Sequence, residues 1–236
     1  MGRPLLEVVA LHPADAEAAE AGGADRLFLV AGDDSAGHSP EPAAVSSICH
    51  ATSLPVRVVL RLADSYTTTG GELTRLMGLA ADYLDVGAQG LVFGFLTADL
   101  DVDRQVCTAI AEVTSAAWTF SRAVDHALDS ARAWRAIETL PGVDAVLTAG
   151  SALGVESGLS ALTAQAQTEP GVAERMLVGG GLEPEHVPWL LRAGVCGFHV
   201  GSQVRPGGSW AKAYVDAGYV RSWRTLLDDA AARPAG

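Results

Sequence analysis

Short apolar runs recur along this chain with room for one helix between each pair. Four of them follow the same phrase, in which a helix-like stretch ends at glycine and a β-branched or aromatic run begins within a few residues: 20–29, 85–94, 140–150 and 193–201. In each phrase a glycine (Gly23, Gly87, Gly142 and Gly194) supplies the left-handed turn that stops a helix. Successive phrases lie about twice the ~30 residues of a strand-plus-helix unit apart, so a further strand is expected between each pair. Four apolar runs stand at the expected positions: 5–10, 56–62, 118–124 and 176–178. The intervening segments are Ala-, Leu- and Glu-rich with helical spacing, which predicts helices over 14–21, 72–84, 103–113, 130–137 and 184–191.

Eight strands alternating with helices predict an α/β protein of the closed (β/α)8 type, the TIM barrel, whose typical length is ~250 residues. An open doubly wound sheet is the alternative, but no GxGxxG follows the first strand. One domain over 1–236 is expected, with the barrel spanning about 5–202 and helices over 209–232. Ser209 is read as a helix cap, and Pro234, Ala235 and Gly236 as an unstructured end.

In such a barrel the chemistry gathers at the carboxyl ends of the strands, which sorts the polar residues. Those in or just after the strands are Glu7, Arg61, Arg122, Asp125, Thr148, the run Gly179, Gly180 and Gly181, and His199, Gly201 and Ser202. Glu7 stands inside the apolar stretch LLEVVAL and needs a cation there, because an isolated buried charge costs several kcal/mol. Arg61 and Arg122 are its expected partners, either as a structural salt-bridge layer or as part of a site. Together with Asp125 and His199 they form the candidate catalytic set, His199 because imidazole titrates near neutrality. Gly179, Gly180, Gly181, Gly201 and Ser202 occupy the loops after strands seven and eight, where exposed N–H groups often bind anions in barrels; tight turns are the competing explanation.

Composition narrows the function classes. Hydrophobic residues make up 49% and charged residues 19% of 236 positions, which suits a globular chain. Sixteen Lys and Arg against 28 Asp and Glu give a formal charge of −12, which repels phosphate backbones and anionic lipid, so neither nucleic acid nor membrane is an expected partner. No signal-type segment opens the chain, and the three cysteines, Cys49, Cys107 and Cys196, form no CxxC pair, so a reducing, cytoplasmic setting is expected. Lys212, the only lysine, falls in an expected outer helix, which argues against Schiff-base chemistry inside the barrel. No HxH on the first strand, HExxH, GxSxG or P-loop is present, and neither a cofactor nor a metal site is implied.

The same residues resemble the copper-homeostasis CutC family across roughly 5–202. The blocks are LEV at 6–8, AEAGGADRL at 19–27, GAQGLVFGFLTADLDVD at 87–103, TFSRAVD at 119–125, VLTAG at 146–150, and GGGL with FHVGS in the last two strands. The resemblance implies a (β/α)8 barrel, commonly a homo-oligomer, with a role in copper handling through cysteines. Trp134, Trp189, Trp210 and Trp223, in expected outer segments, are candidate self-association anchors. The chain departs from the family pattern at Val9 and Val30, where the family tends to carry cysteine, at Phe28 in place of an acid, and at Ser121 in place of a histidine. Three readings stay open: a copper-handling barrel, an enzyme or binding protein for a small phosphorylated or carboxylated molecule, and an inert scaffold.

Overall fold

The computed structural model describes residues 2–32, 37–114, 116–168, 170–210 and 213–232. Lys212 and the terminal Pro234, Ala235 and Gly236 lie outside the described residues. The strands are β1 (Leu5–Ala10), β2 (Arg26–Leu29), β3 (Val56–Val59), β4 (Gly90–Phe93), β5 (Trp118–Phe120), β6 (Val143–Thr148), β7 (Met176–Val178) and β8 (Gly197–Val200). They pair in sequence order, all parallel, and β8 returns to β1 with Glu7 opposite His199, so the barrel is closed. The helices are α1 (Pro13–Gly22), α2 (Pro42–Cys49), α3 (Gly70–Asp85), α4 (Arg104–Thr114), α5 (Ser130–Glu138), α6 (Val155–Thr168), α7 (Pro170–Arg175), α8 (Val187–Arg192) and α9 (Ala217–Ala232). No helix among the described residues is long and apolar enough to cross a membrane.

Alternation along each strand divides the core in two, since successive side chains point to opposite faces. Leu6, Val8, Leu27, Val58, Leu91 and Phe198 face outward and are sealed beneath the helices. Val9, Phe28, Val30, Val59, Val92, Leu147 and Leu177 face inward and fill the barrel. Burying each such side chain contributes about 1.5–3 kcal/mol, so this pattern in the sequence already commits the strands to a two-sided layer. The predicted helix stops also hold: Gly23, Gly87, Gly142 and Gly194 all have positive φ, and the Gly23 N–H closes α1 onto the carbonyls of Ala19 and Glu20.

Two strands are shorter than their apolar runs. β3 ends at Val59, so Arg61 stands beyond it, and β5 ends at Phe120. The Ser121 hydroxyl there accepts from the Ala123 N–H and starts a 3-10 turn, Arg122–His126, which carries Arg122 and Asp125 off the strand and over the mouth. The predicted pair of terminal helices is corrected to two 3-10 turns, Ser202–Val204 and Pro206–Gly208, followed by α9 alone. Left-handed Gly207 and Gly208 break the helix before Ser209, which is extended and lies well before the start of α9 at Ala217. Of the four tryptophans expected outside, Trp134 and Trp223 are buried, Trp210 leans over the barrel mouth, and Trp189 is exposed.

Candidate functional site

Glu7 sits in the middle of β1, wholly buried, where an ionised carboxylate requires strong compensation. Its partners are set by register. Arg26 and His199 are its ladder neighbours on β2 and β8; Arg26 Nε donates to Oε2 at 2.5 Å, and His199 Nδ1 lies 2.8 Å from Oε1. This corrects the expected pairing with Arg61 or Arg122, both of which lie beyond the ends of their strands. The β3 arginine whose charge reaches Glu7 is Arg57, four residues before Arg61 and so about 13 Å lower at ~3.3 Å per residue. Burial alone would push the Glu7 carboxyl up. The Arg26 charge, the His199 hydrogen bond and the charges of His199 and Arg57 together outweigh burial and hold it at about 2.

An ionised carboxylate only accepts hydrogen bonds, so the Nδ1 of His199 carries the proton in this pair. In the neutral imidazole the lone pair is then on Nε2, which has no hydrogen-bond partner among the described residues. The ring is fixed from the side by Phe28, edge-on with centroids 4.7 Å apart. Gly179 allows this placement, because a Cβ there would lie 2.7 Å from His199 Cδ2.

His199 opens onto a cavity of about 390 Å³ at the carboxyl mouth of the barrel, within the usual size of small-molecule sites. Val9, Phe28, Val30, Val59, Val92 and Leu147 make an apolar floor. The rim is polar and aromatic, with Arg61, Tyr66, Ser121, Arg122, Gln203 and Trp210. Arg122 is held firmly: Nε donates to Asp125 Oδ2 at 2.9 Å, Nη2 to the carbonyls of Ser151 and Ala152 at 3.1 and 3.5 Å. Its Nη1 has no protein partner among the described residues and lies over Gly180, where a Cβ would come within 2.6 Å of it.

Asp125 is not itself presented to the cavity. Its carboxylate is almost wholly buried and also accepts from Thr148 Oγ1 and the N–H groups of Ala149 and Gly150, so its work is to aim Arg122. Arg61 turns back on its own loop, donating to Ala63 and Asp64 carbonyls and lying 4.3 Å from the centre of the Tyr66 ring. Burial pushes the Tyr66 phenol up, against the lowering pull of Arg61 and Arg122. His126 packs against the same ring and is lowered, first by burial and then by Arg122.

The glycine loops meet the cavity unevenly. Gly180, Gly181, Gly201 and Ser202 line it. The Gly179 N–H donates to the Thr148 carbonyl, and the Gly201 N–H to Gln203 Oε1. Sequence reasoning missed Arg26, Tyr66, Gln203 and the covering role of Trp210. Arg26 was legible from alternation, since it shares parity with inward-facing Phe28 and Val30; no periodic signal marks the other three.

Over residues 5–204 the chain matches the CutC family. The chain belongs to that family. A family protein CutC from Klebsiella pneumoniae is 32% identical over 197 residues, covering 83% of this chain and 78% of the relative. The copper homeostasis protein cutC homolog of Homo sapiens is 30% identical over 203 residues, covering 83% and 72%. Among solved structures, a CutC protein from Streptococcus agalactiae superposes with a TM-score of 0.74 at 20% identity, covering 84% of this chain and 98% of that one. Thiamine phosphate pyrophosphorylase from Pyrococcus furiosus shares the barrel with a TM-score of 0.62 at 15% identity, covering 97% of each chain, a likeness of fold alone.

The positions where this CutC chain is expected to depart from the family pattern, Val9, Phe28, Val30 and Ser121, all line the cavity. The cysteines do not. Cys49 ends α2, Cys107 is buried in α4 and Cys196 precedes β8. Burial pushes all three thiols up, Cys107 to about 12, which disfavours the thiolate that binds soft metals. Among the described residues no group of three His, Cys, Asp or Glu side chains could hold a metal ion.

Proposed function

We propose that the barrel mouth takes a small molecule with an apolar body and one anionic group, phosphate or carboxylate, and that His199 exchanges a proton with it. The observation that carries this reading is the Glu7–His199 pair opening onto an apolar cavity that also receives the Nη1 of Arg122, which has no partner among the described residues. Arg122 would hold the anion, pre-aimed by Asp125, with its charge desolvated enough to matter. Glu7 is a positioning residue: it fixes the tautomer and turns Nε2 into the base or, when protonated, the acid. The apolar floor excludes water beneath the ligand and strengthens each charge interaction above it.

The test is calorimetry and histidine NMR with inorganic phosphate, phenyl phosphate and phenylacetate on the wild type and on Arg122→Met. Removing one charge-assisted hydrogen bond of about 1.5–3 kcal/mol should weaken binding by roughly 10- to 150-fold. If none of these anions at millimolar concentration moves the His199 resonances of the wild type, the reading fails.

Copper handling is the second reading, and family membership supports it. Copper(I) as cargo calls for thiolate or thioether ligands. The residues of the cavity do not fit it, because no cysteine or methionine lines it and among the described residues no group of three His, Cys, Asp or Glu side chains could hold a metal ion.

A further inference from the structure

The two loops that give many barrels a phosphate cradle are tied off here by a side chain of the protein itself. Gln203, just after β8, spans both. Its Oε1 accepts from the Gly201 N–H at 3.0 Å and from the Ser202 hydroxyl at 3.5 Å, and its Nε2 donates to the Leu182 carbonyl at 2.9 Å in the loop after β7. The amide oxygen thus stands where an anion would meet the Gly201 N–H. The Gly179 N–H is also spent, on the Thr148 carbonyl. Gln203 itself lines the cavity, so its amide is part of the site's wall.

A phosphate monoester carries close to two charges at neutral pH and three acceptor oxygens, and is held well only where several donors converge. At this mouth the charged side-chain donors are few. Among the described residues only the Nη1 of Arg122 is without a partner, since Nε and Nη2 are occupied by Asp125, Ser151 and Ala152. Arg61 donates to two carbonyls of its own loop. With a formal net charge of −12 around it, the mouth gains nothing from long-range attraction of a dianion. A carboxylate asks less: one charge, and two oxygens that Nη1 can serve while the rest of the molecule rests on Phe28, Val59 and Val92.

We infer that this mouth selects carboxylates over phosphate esters, and that Gln203 sets the choice by occupying the Gly201 N–H. The inference deepens the proposed function and rests on the mouth being a ligand site. It makes Gln203 a specificity-determining residue: removing its amide frees the Gly201 N–H and loosens the tie between the loops, which favours the ligand with more acceptor oxygens.

The experiment compares phenylacetate with phenyl phosphate, matched in apolar body, by calorimetry and by the His199 resonances, in wild type, Gln203→Ala and Gln203→Met. Wild type should bind phenylacetate at least tenfold more tightly. Both variants should shift the ratio toward phenyl phosphate by tenfold or more, the methionine variant keeping side-chain length so that loop packing is preserved if alanine unfolds the segment. Wild type preferring phenyl phosphate, or a ratio unmoved in the folded variants, overturns the inference while leaving a ligand site in place. Binding of neither compound overturns the inference and the proposed function together.

Discussion

Replacing Glu7 by glutamine separates charge from shape at the centre of the barrel. The carboxyl in the folded protein titrates at about 2 against an ordinary 4.5. A depressed carboxyl contributes stability that is fully present above pH 4.5 and is lost as pH falls toward 2. At 1.36 kcal/mol per unit, the contribution is about 3 kcal/mol. Glu7→Gln removes it at neutral pH and leaves the Arg26 guanidinium, whose Nη2 already lacks a partner among the described residues, without its counter-charge. Breaking a buried pair in this way costs about 3–5 kcal/mol.

Urea unfolding of wild type and variant from pH 7 to pH 2 reads both quantities. At pH 7 the variant should be less stable by that amount. Between pH 4.5 and 2 the gap should close by about 3 kcal/mol, because a protonated Glu7 is nearly a glutamine. Other carboxyls titrate in both proteins and cancel in the difference. Equal midpoints at pH 7 would refute the buried ion pair, and a gap independent of pH would refute the depressed titration.

Two further predictions follow from buried and half-buried groups elsewhere. Arg205, 1% exposed, pairs with fully buried Asp15 at 2.8 Å and also donates to the carbonyls of Val9 and Ala213; Arg205→Met should cost about 3–5 kcal/mol in urea unfolding, and a loss below about 1 kcal/mol would show the pair to be dispensable. In Cu(I) competition against a strong chelator the protein should retain no stoichiometric copper, since Cys49, Cys107 and Cys196 are dispersed and held as thiols; uptake abolished by replacing these cysteines would refute that.

Local chemistry in the sequence was sufficient for the barrel. Glycines that must adopt positive φ stop the helices, and runs of Val, Leu and Phe bounded by them can be buried on both faces only in a parallel sheet covered by helices. Glu7 was equally legible as a buried charge that needs a cation, because the requirement is one of solvation and depends on no neighbour. Which cation answers it was decided by register: a shift of a few residues along a strand moves a side chain by two layers, so Arg26 and His199 reach Glu7 while Arg61 and Arg122 do not. The same holds at the mouth. Asp125 is turned into a support for Arg122 by a 3-10 turn that begins at Ser121, and Gln203 ties two loops separated by a helix and a strand. Periodicity reports which face a residue takes on its own element, whereas the partners of polar groups at the mouth depend on how far each strand runs before it breaks, and only the closed barrel sets that.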